Sequence, residues 1–218
     1  MMKNWIVIGA VAGTASCALG QSASLSIVAS QTVIDSSLTT SITLAVYGDA
    51  DFATHITGAW FGLSADGGAG VVEDMSLSSV ASWGEVFEQD FGHAGDGNYN
   101  GVAMGQVVFL PFIAPSPESA LGLGPVLLAN FEVTIAAGSF GQIDWALVDV
   151  LDQSDWTIEL LDVTTNPGGI PGTDYPIRNP ELGSVRVQVI PAPSGLAILG
   201  FSGLFVGRRQ RKGIGWSL

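Results

Sequence analysis

Charge is scarce in this 218-residue chain: Asp, Glu, Lys and Arg together make up 12% of it, about half the share usual for a globular domain. Basic side chains are scarcer still. Lys3 lies near the start and Arg208, Arg209, Arg211 and Lys212 near the end, which leaves Arg178 and Arg186 for everything between. All twenty acidic residues fall between Gln21 and Ile190, so that interval carries a formal charge of −18. Such a body repels nucleic acid and anionic membrane surfaces, and its first effect is to keep an exported domain soluble; cations are its natural company. Cysteine is nearly missing too. Cys17 is the only one, and it lies ahead of the acidic interval, so no disulfide can staple the body. Histidine occurs twice, as His55 and His93, and neither stands in a G-x-S-x-G context, which removes most of the support for a hydrolytic triad. Helical periodicity is absent: between Ala23 and Ile190 no apolar pattern with a period near 3.6 persists beyond two turns.

What the ends do contain is organised for export. Residues 1–20 carry one positive charge at Lys3, an apolar run from Trp5 to Ala12 and then small residues. Ala18 and Gly20 offer a signal peptidase the small side chains it needs, which predicts cleavage before Gln21. Lipidation at Cys17 is the competing reading, with Thr14 and Ser16 in place of the residues a lipoprotein signal favours. At the other end, strand-like Val185–Ile190 leads into Pro191, Ala192 and Pro193, an apolar run over 194–207 and the basic cluster Arg208, Arg209, Arg211 and Lys212. As a helix those 14 apolar residues would reach about 21 Å, short of a hydrocarbon core of about 30 Å, whereas counting from Val189 gives a marginal span. The basic cluster stays on the cytoplasmic side, so everything before it lies outside.

This order of proline motif, short apolar run and arginine cluster resembles the PEP-CTERM sorting signal of Gram-negative bacteria. The resemblance covers residues 190–212; Ala192 stands where the family usually has glutamate, and Gly213–Leu218 trail the cluster. It implies recognition by an exosortase, a membrane-embedded cysteine peptidase that cuts near the motif. A plain C-terminal membrane anchor is the alternative, and both readings put the body outside the inner membrane. The chain therefore divides into a signal peptide at 1–20, an acidic domain at 21–190 and a sorting segment at 191–218.

The body reads as all-β. Short alternating segments separated by Gly, Pro, Asp, Asn and Ser place strands near 23–30, 40–47, 57–65, 104–113, 126–136, 143–150, 156–163 and 183–190, with an ambiguous, helix-like stretch from Met75 to Gln89. Ile42, Leu44 and Val46 share a strand face, as do Phe131, Val133 and Ile135, so each set can cover a core. Eight such segments predict a two-sheet antiparallel sandwich, of Ig-like or jelly-roll type, flanked by a signal helix and an apolar C-terminal helix. The order of Ile42–Val46, Gly58–Leu63, Leu128–Gly138 and Ile143–Leu147 is similar to that of cohesin-like sandwiches. Cohesins bind dockerin modules, and no residue here carries that activity over.

Three kinds of site are candidates. Asp96, Asn98, Asn100 and Gly101 match the first half of a calcium loop, D-x-N-x-N-G, in which oxygens on alternate positions converge on one hard cation. The twelfth position is Val107 rather than a carboxylate, which excludes an EF-hand; Asp90 and Glu88 are the upstream carboxylates that can complete a calcium site. An Asn/Gly-rich turn explains the same residues without metal. Trp60, Trp83, Trp156, Tyr99 and Tyr175 can form a platform for sugar rings if they share a face, whereas Trp60 and Trp145 alternate into the core or pack at sheet edges. A secreted hydrolase needs His55 or His93 gathered with a carboxylate and a nucleophile. The reading that rests on the most residues is a non-catalytic surface or matrix protein that binds an extracellular polysaccharide or another surface protein. A carbohydrate-binding module and a hydrolase are its alternatives.

Overall fold

The computed structural model describes residues 22–110, 112–150, 157–163 and 180–191, together with the backbone of 173–177. The expected signal helix and apolar C-terminal helix lie outside these residues. Among the described residues no helix is long and apolar enough to cross a membrane.

The strands in chain order are β1 (Ala23–Ala29), β2 (Val33–Asp35), β3 (Thr40–Ala50), β4 (His55–Asp66), β5 (Val72–Val80), β6 (Gln89–Asp90), β7 (His93–Gly95), β8 (Asn98–Gly105), β9 (Val126–Ile135), β10 (Gly141–Val148), β11 (Ile158–Asp162), β12 (Thr173–Ile177), β13 (Glu181–Leu182) and β14 (Ser184–Ile190). Two 3₁₀ turns, Ser82–Phe87 and Pro117–Ser119, accompany them. One sheet has five strands in the order β13-β1-β3-β9-β5, and the other has nine along the path β12-β11-β4-β10-β14-β2, with β8 on β4 and β6 and β7 on β8. Strand β4 organises the larger sheet. Its Ala59 pairs with Met104 of β8 on one edge and Ile158 of β11 on the other, and its Leu63 pairs with Tyr99 of β8 and Leu147 of β10. Strands β10 and β11 therefore share one edge of β4, end to end, while β8 holds the opposite edge.

The two-sheet, all-β expectation holds, with three corrections. Pairing is not purely antiparallel: β1 runs parallel to β13, and β2 runs parallel to β14. The stretch from Met75 to Gln89 is the end of edge strand β5 followed by a 3₁₀ turn. Register shifts between Val72 and Asp74 and between Leu77 and Ser79 mark two bulges, and each extra residue widens the apolar spacing from two to three, which mimics a helix. Together with exposed Glu73 and Asp74, those bulges also spoil β5 as a template for edge pairing. The strand expected over 104–113 starts earlier, at Asn98, and stops at Gly105; the Gln106 N–H still donates to the Thr57 carbonyl at 2.9 Å, and its side chain clamps the following loop.

Alternation decides what is buried. Ile42, Leu44 and Val46 of β3 and Phe131, Val133 and Ile135 of β9 all lie in the core, facing Phe61 and Leu63 of β4 and Ile143, Trp145 and Leu147 of β10. Phe131 is central: its ring meets Phe61 edge-on at 6.4 Å and Tyr99 edge-on at 4.9 Å, so aromatic contacts lock the sheets across the core. On the outer face of the larger sheet, Asp144 of β10 lies opposite Arg186 of β14, and the guanidinium donates to both carboxylate oxygens at 2.7 and 3.2 Å. That hydrogen bonding holds the Asp144 carboxyl below its usual range.

The strands run the length of the sandwich, roughly 35 Å for β4 at about 3.3 Å per residue, and define two poles. The described chain enters at the amino pole, where Ser22 donates its N–H to the Asp51 carboxylate at 2.9 Å and the loops 51–54 and 106–125 gather. It leaves at the carboxy pole. There Ile190 ends β14, a strand held between β10 and β2, and the exposed Pro191 follows.

Truncating the central aromatic tests this packing. Phe131→Ala is expected to lower the free energy of unfolding by about 3–5 kcal/mol, measured by urea denaturation, because it removes a fully buried ring from between two sheets.

Candidate functional site

The motif read as half a calcium loop is a β-hairpin turn. Asp96 (φ 54°) and Gly97 (φ 82°) both adopt the left-handed region, and Gly95 pairs with Asn98, which is the two-residue Asp-Gly connection that suits the right-handed twist of the flanking strands. Asn98 then accepts the Ala65 N–H at 2.9 Å and donates its amide to the Gly95 carbonyl at 3.1 Å, fastening β8 to the end of β4. Asn100 donates to the Phe91 carbonyl at 3.3 Å. Asp90 accepts from Gly92 N–H at 2.8 Å and from the Tyr99 hydroxyl at 2.6 Å. Asn98, Asn100 and Asp90 thus hold separate parts of the scaffold. Among the described residues no group of three or more His, Cys, Asp or Glu is placed to hold a metal ion.

Tyr99 seals a side of the sandwich. Its ring is buried beside Phe131, while its hydroxyl donates to Asp90 and accepts the Leu77 N–H of β5 at 3.1 Å, so one side chain ties the two sheets laterally. Burial, then the hydrogen bond to Asp90, pushes the phenol well above its ordinary value of 10.0. His93 braces the same seam: Nδ1 lies 3.6 Å from an Asp74 carboxylate oxygen, and Nε2 accepts the Gly97 N–H at 3.3 Å.

His55 is elsewhere, at the amino pole. Its Nδ1 lies 3.0 Å from the Thr54 hydroxyl, which donates to the Leu161 carbonyl at 2.9 Å and accepts the Val163 N–H at 3.0 Å. Burial lowers the His55 pKa from 6.5 and keeps the ring neutral near pH 7. The two histidines therefore serve different parts of the scaffold, and the one hydroxyl hydrogen-bonded to His55 is committed to backbone.

The expected aromatic platform is not assembled among the described residues. Trp83 and Tyr99 are buried in the core, and Trp145 is fully enclosed, its indole N–H donating to the Gly97 carbonyl at 3.0 Å. Trp156 and the Tyr175 side chain lie outside the described residues. Trp60 points outward from β4, but Phe91 stacks on it at 5.9 Å and an interplanar angle of 8°, and its indole N–H is buried without an acceptor. The floor around Trp60 is small: Gly58 and Gly62 on β4, and Gly101, Ala103 and Gly105 on β8. A Cβ at Gly62 would sit 2.9 Å from Val150, and one at Gly105 would sit 3.6 Å from Phe87, so these glycines let apolar side chains lie directly on the sheet.

An apolar surface that sequence reading missed lies at the amino pole. The loop Gln106–Pro125 spans twenty residues with one charge, Glu118. Gln106 pins its base, donating to the Ile56 carbonyl and the Ser119 hydroxyl at 2.8 Å and accepting the Ser116 N–H at 2.7 Å. Beyond that clamp the chain folds back on itself: Phe109 N–H donates to Ile113 O at 2.9 Å, and the Phe109 and Phe112 rings stack at 5.7 Å. Phe112 is 80% exposed and Leu123 98% exposed, with Val86, Phe87, Phe109 and Ile113 also open to solvent. Long ordered loops of this kind carry function more often than packing. The legible signal was the near absence of charge around Phe109, Phe112 and Ile113.

No family model and no curated protein matches the chain. Among solved structures it is similar to the seventh ScaB type I cohesin of Pseudobacteroides cellulosolvens, at 10% identity and a TM-score of 0.46 over 79% of this chain and 96% of that one. It is also similar to a type II cohesin domain from the cellulosome of Acetivibrio cellulolyticus, at 10% identity and a TM-score of 0.47 over 76% and 95% of the two chains. A type I cohesin–dockerin complex of Clostridium thermocellum matches at 8% identity and a TM-score of 0.39, over 77% of this chain and 99% of that one.

Two titrations report this geometry. Alkaline difference absorbance is expected to show Tyr99 still protonated where ordinary tyrosines ionise near pH 10, and Tyr99→Phe removes that late transition. A raised phenol pKa favours the folded state below about pH 10 and loses that contribution above it. For His55 the sign is opposite: a lowered imidazole pKa gives stability that is complete above about pH 6.5 and declines as pH falls. The thermal midpoint is accordingly expected to fall between pH 7.5 and 5.5, and to fall less in His55→Gln.

Proposed function

We propose that this chain is an exported, non-catalytic binding or structural module of the cell surface or extracellular matrix, sorted through its C-terminal segment by an exosortase-type peptidase. The observation that carries the reading is the separation of the two poles. Strand β14 is paired with β10 from Ser184 to Val189 and with β2 from Gln188 to Ile190, and Pro191 is exposed. A cut at or beyond Pro191 leaves the sandwich intact, and so does a cut before Gln21, one residue ahead of the Asp51 contact of Ser22. The apolar loop surface lies at the opposite pole from Pro191, which leaves it free to meet a partner while the segment after Pro191 is engaged.

Another surface protein fits the amino pole better than an extracellular polysaccharide. Phe87, Phe109, Phe112, Ile113 and Leu123 present apolar surface with few polar groups beside it, whereas a sugar site needs hydroxyl-binding groups around an open ring. The charge of −18 between Gln21 and Ile190 favours a partner with a basic rim and excludes nucleic acid.

Intact-mass analysis of the protein from inner-membrane, surface and medium fractions of its host tests the sorting reading. The surface or medium form is expected to begin at Gln21 and to end within Pro191–Pro193. Recovery only in the inner membrane, with residues 194–218 retained, would overturn it in favour of a permanent anchor. For the binding reading, Phe109→Ser together with Phe112→Ser is expected to leave the thermal midpoint within a few degrees and to abolish co-purification of the surface partner by crosslinking.

A further inference from the structure

We propose that the carboxy pole rests on a zwitterionic lipid bilayer while the chain is tethered, with Leu38, Phe140 and Ile190 inserted at the interface. This rests on the reading of residues 194–207 as a membrane-inserted segment. Outward residues of β14 run Ser184, Arg186, Gln188 and then Ile190, all exposed. On the neighbouring strand, Gln142 and Asp144 are likewise preceded by Phe140, which is 72% exposed. Gly141 pairs with Val189 and Ile190 pairs with Asp35, so Phe140 and Ile190 are cross-strand neighbours at the end of the sheet. Strand β14 keeps a polar exterior along its length and abandons it only at Ile190, and in β10 the polar pair Gln142 and Asp144 separates Phe140 from the half-buried Ala146 and Val148.

The third residue is held by a polar clamp. Ser36 is fully buried; its hydroxyl donates to the Ser139 carbonyl, its N–H donates to the Ile190 carbonyl at 3.1 Å, and its own carbonyl accepts the Gly138 N–H at 2.6 Å. That one residue fastens three segments: the turn after β2, the turn before β10 and the end of β14. Each segment sends out one large apolar side chain, and Leu38 at the tip of its turn is 74% exposed. Rigid display of three apolar side chains on separate segments suits shallow insertion.

The occupant follows from where the chain goes next. The apolar run begins at Ser194, three residues after Pro191, so a tail inserted in a membrane holds this pole at its surface. Asp35 is exposed beside Ile190, and Arg186 is committed to Asp144, so the pole offers carboxylate rather than free cation to lipid headgroups. Zwitterionic lipid fits that balance and anionic lipid does not.

Environment-sensitive fluorophores on single cysteines test the proposal. In the membrane-recovered chain carrying Cys17→Ser, label is placed at Leu38→Cys, Phe140→Cys, Leu123→Cys or Leu204→Cys and the protein is reconstituted in phosphatidylcholine vesicles. Expected is a blue shift and quenching by spin-labelled lipid at positions 38, 140 and 204, with neither at 123. Label at 204 in lipid with 38 and 140 in water overturns the proposal and leaves the tail reading standing. Label at 204 in water removes both. A blue shift at 38 and 140 without vesicles, lost when residues 194–218 are removed, shows the tail folded back on the pole and also overturns the proposal.

Discussion

Burial of Phe131 between the sheets is the contact on which the rest of this molecule depends. With no disulfide and only Arg178 and Arg186 to pair with twenty acidic residues, the body has apolar packing as its main source of cohesion. Phe131 sits on the central part of β9 and meets Phe61 from β4 and Tyr99 from β8, so strands from both sheets are fixed around one ring. Tyr99 then carries the packing outward to a hydrogen-bonded seam with Asp90 and Leu77. Core and seam share a residue, so the hairpin Gly95–Asn98, the brace at His93 and the edge strand β5 all inherit their positions from the core.

That dependence explains why residues with chemical potential are spent on structure. Asn98, Asn100, Asp90, His93 and His55 each close a turn, hold a strand end or meet a buried polar group. A sandwich with long loops has many backbone groups outside its ladders, and each buried one needs a partner. Polar side chains here supply those partners. What is left for recognition is surface: the clamped loop of the amino pole, the shelf around Trp60 and Phe91, and the apolar corner at the carboxy pole. Ser22 and Pro191, the first and last residues of the described body, lie at different poles.

Much of the fold was legible because period-two alternation is written directly in the residues. Ile42, Leu44 and Val46, and Phe131, Val133 and Ile135, were read as core faces and are buried. The reading failed where the period itself was disturbed. In β5 two bulges convert alternation into spacings of three, and the segment resembles a helix until its pairing to β9 is seen. The small strands β2, β6, β7 and β13 are two or three residues long, too short to show any period, and exist because neighbouring strands hold them. The Asp96–Gly101 motif shows the same limit: Asp-Gly opens cation loops and hairpin turns alike, and the hairpin is seen only in the pairing of Gly95 with Asn98.

By itself the sequence determined the class of the molecule: an acidic body with no internal cysteine, built of alternating strands, between an apolar start and an apolar, basic end. These follow from composition and local period, which need no knowledge of distant contacts. Tertiary structure alone decided which polar residues are free. Whether Asn98 faces a cation or the Ala65 N–H, and whether Trp60 lies open or beneath Phe91, depends on strands brought together from far apart in the chain. It also decided that Leu38, Phe140 and Ile190 share one corner, because buried Ser36 joins distant segments, its hydroxyl donating to Ser139, 103 residues on, and its N–H to Ile190, 154 residues on. Local pattern fixes which face of a strand is apolar; long-range pairing fixes which faces meet.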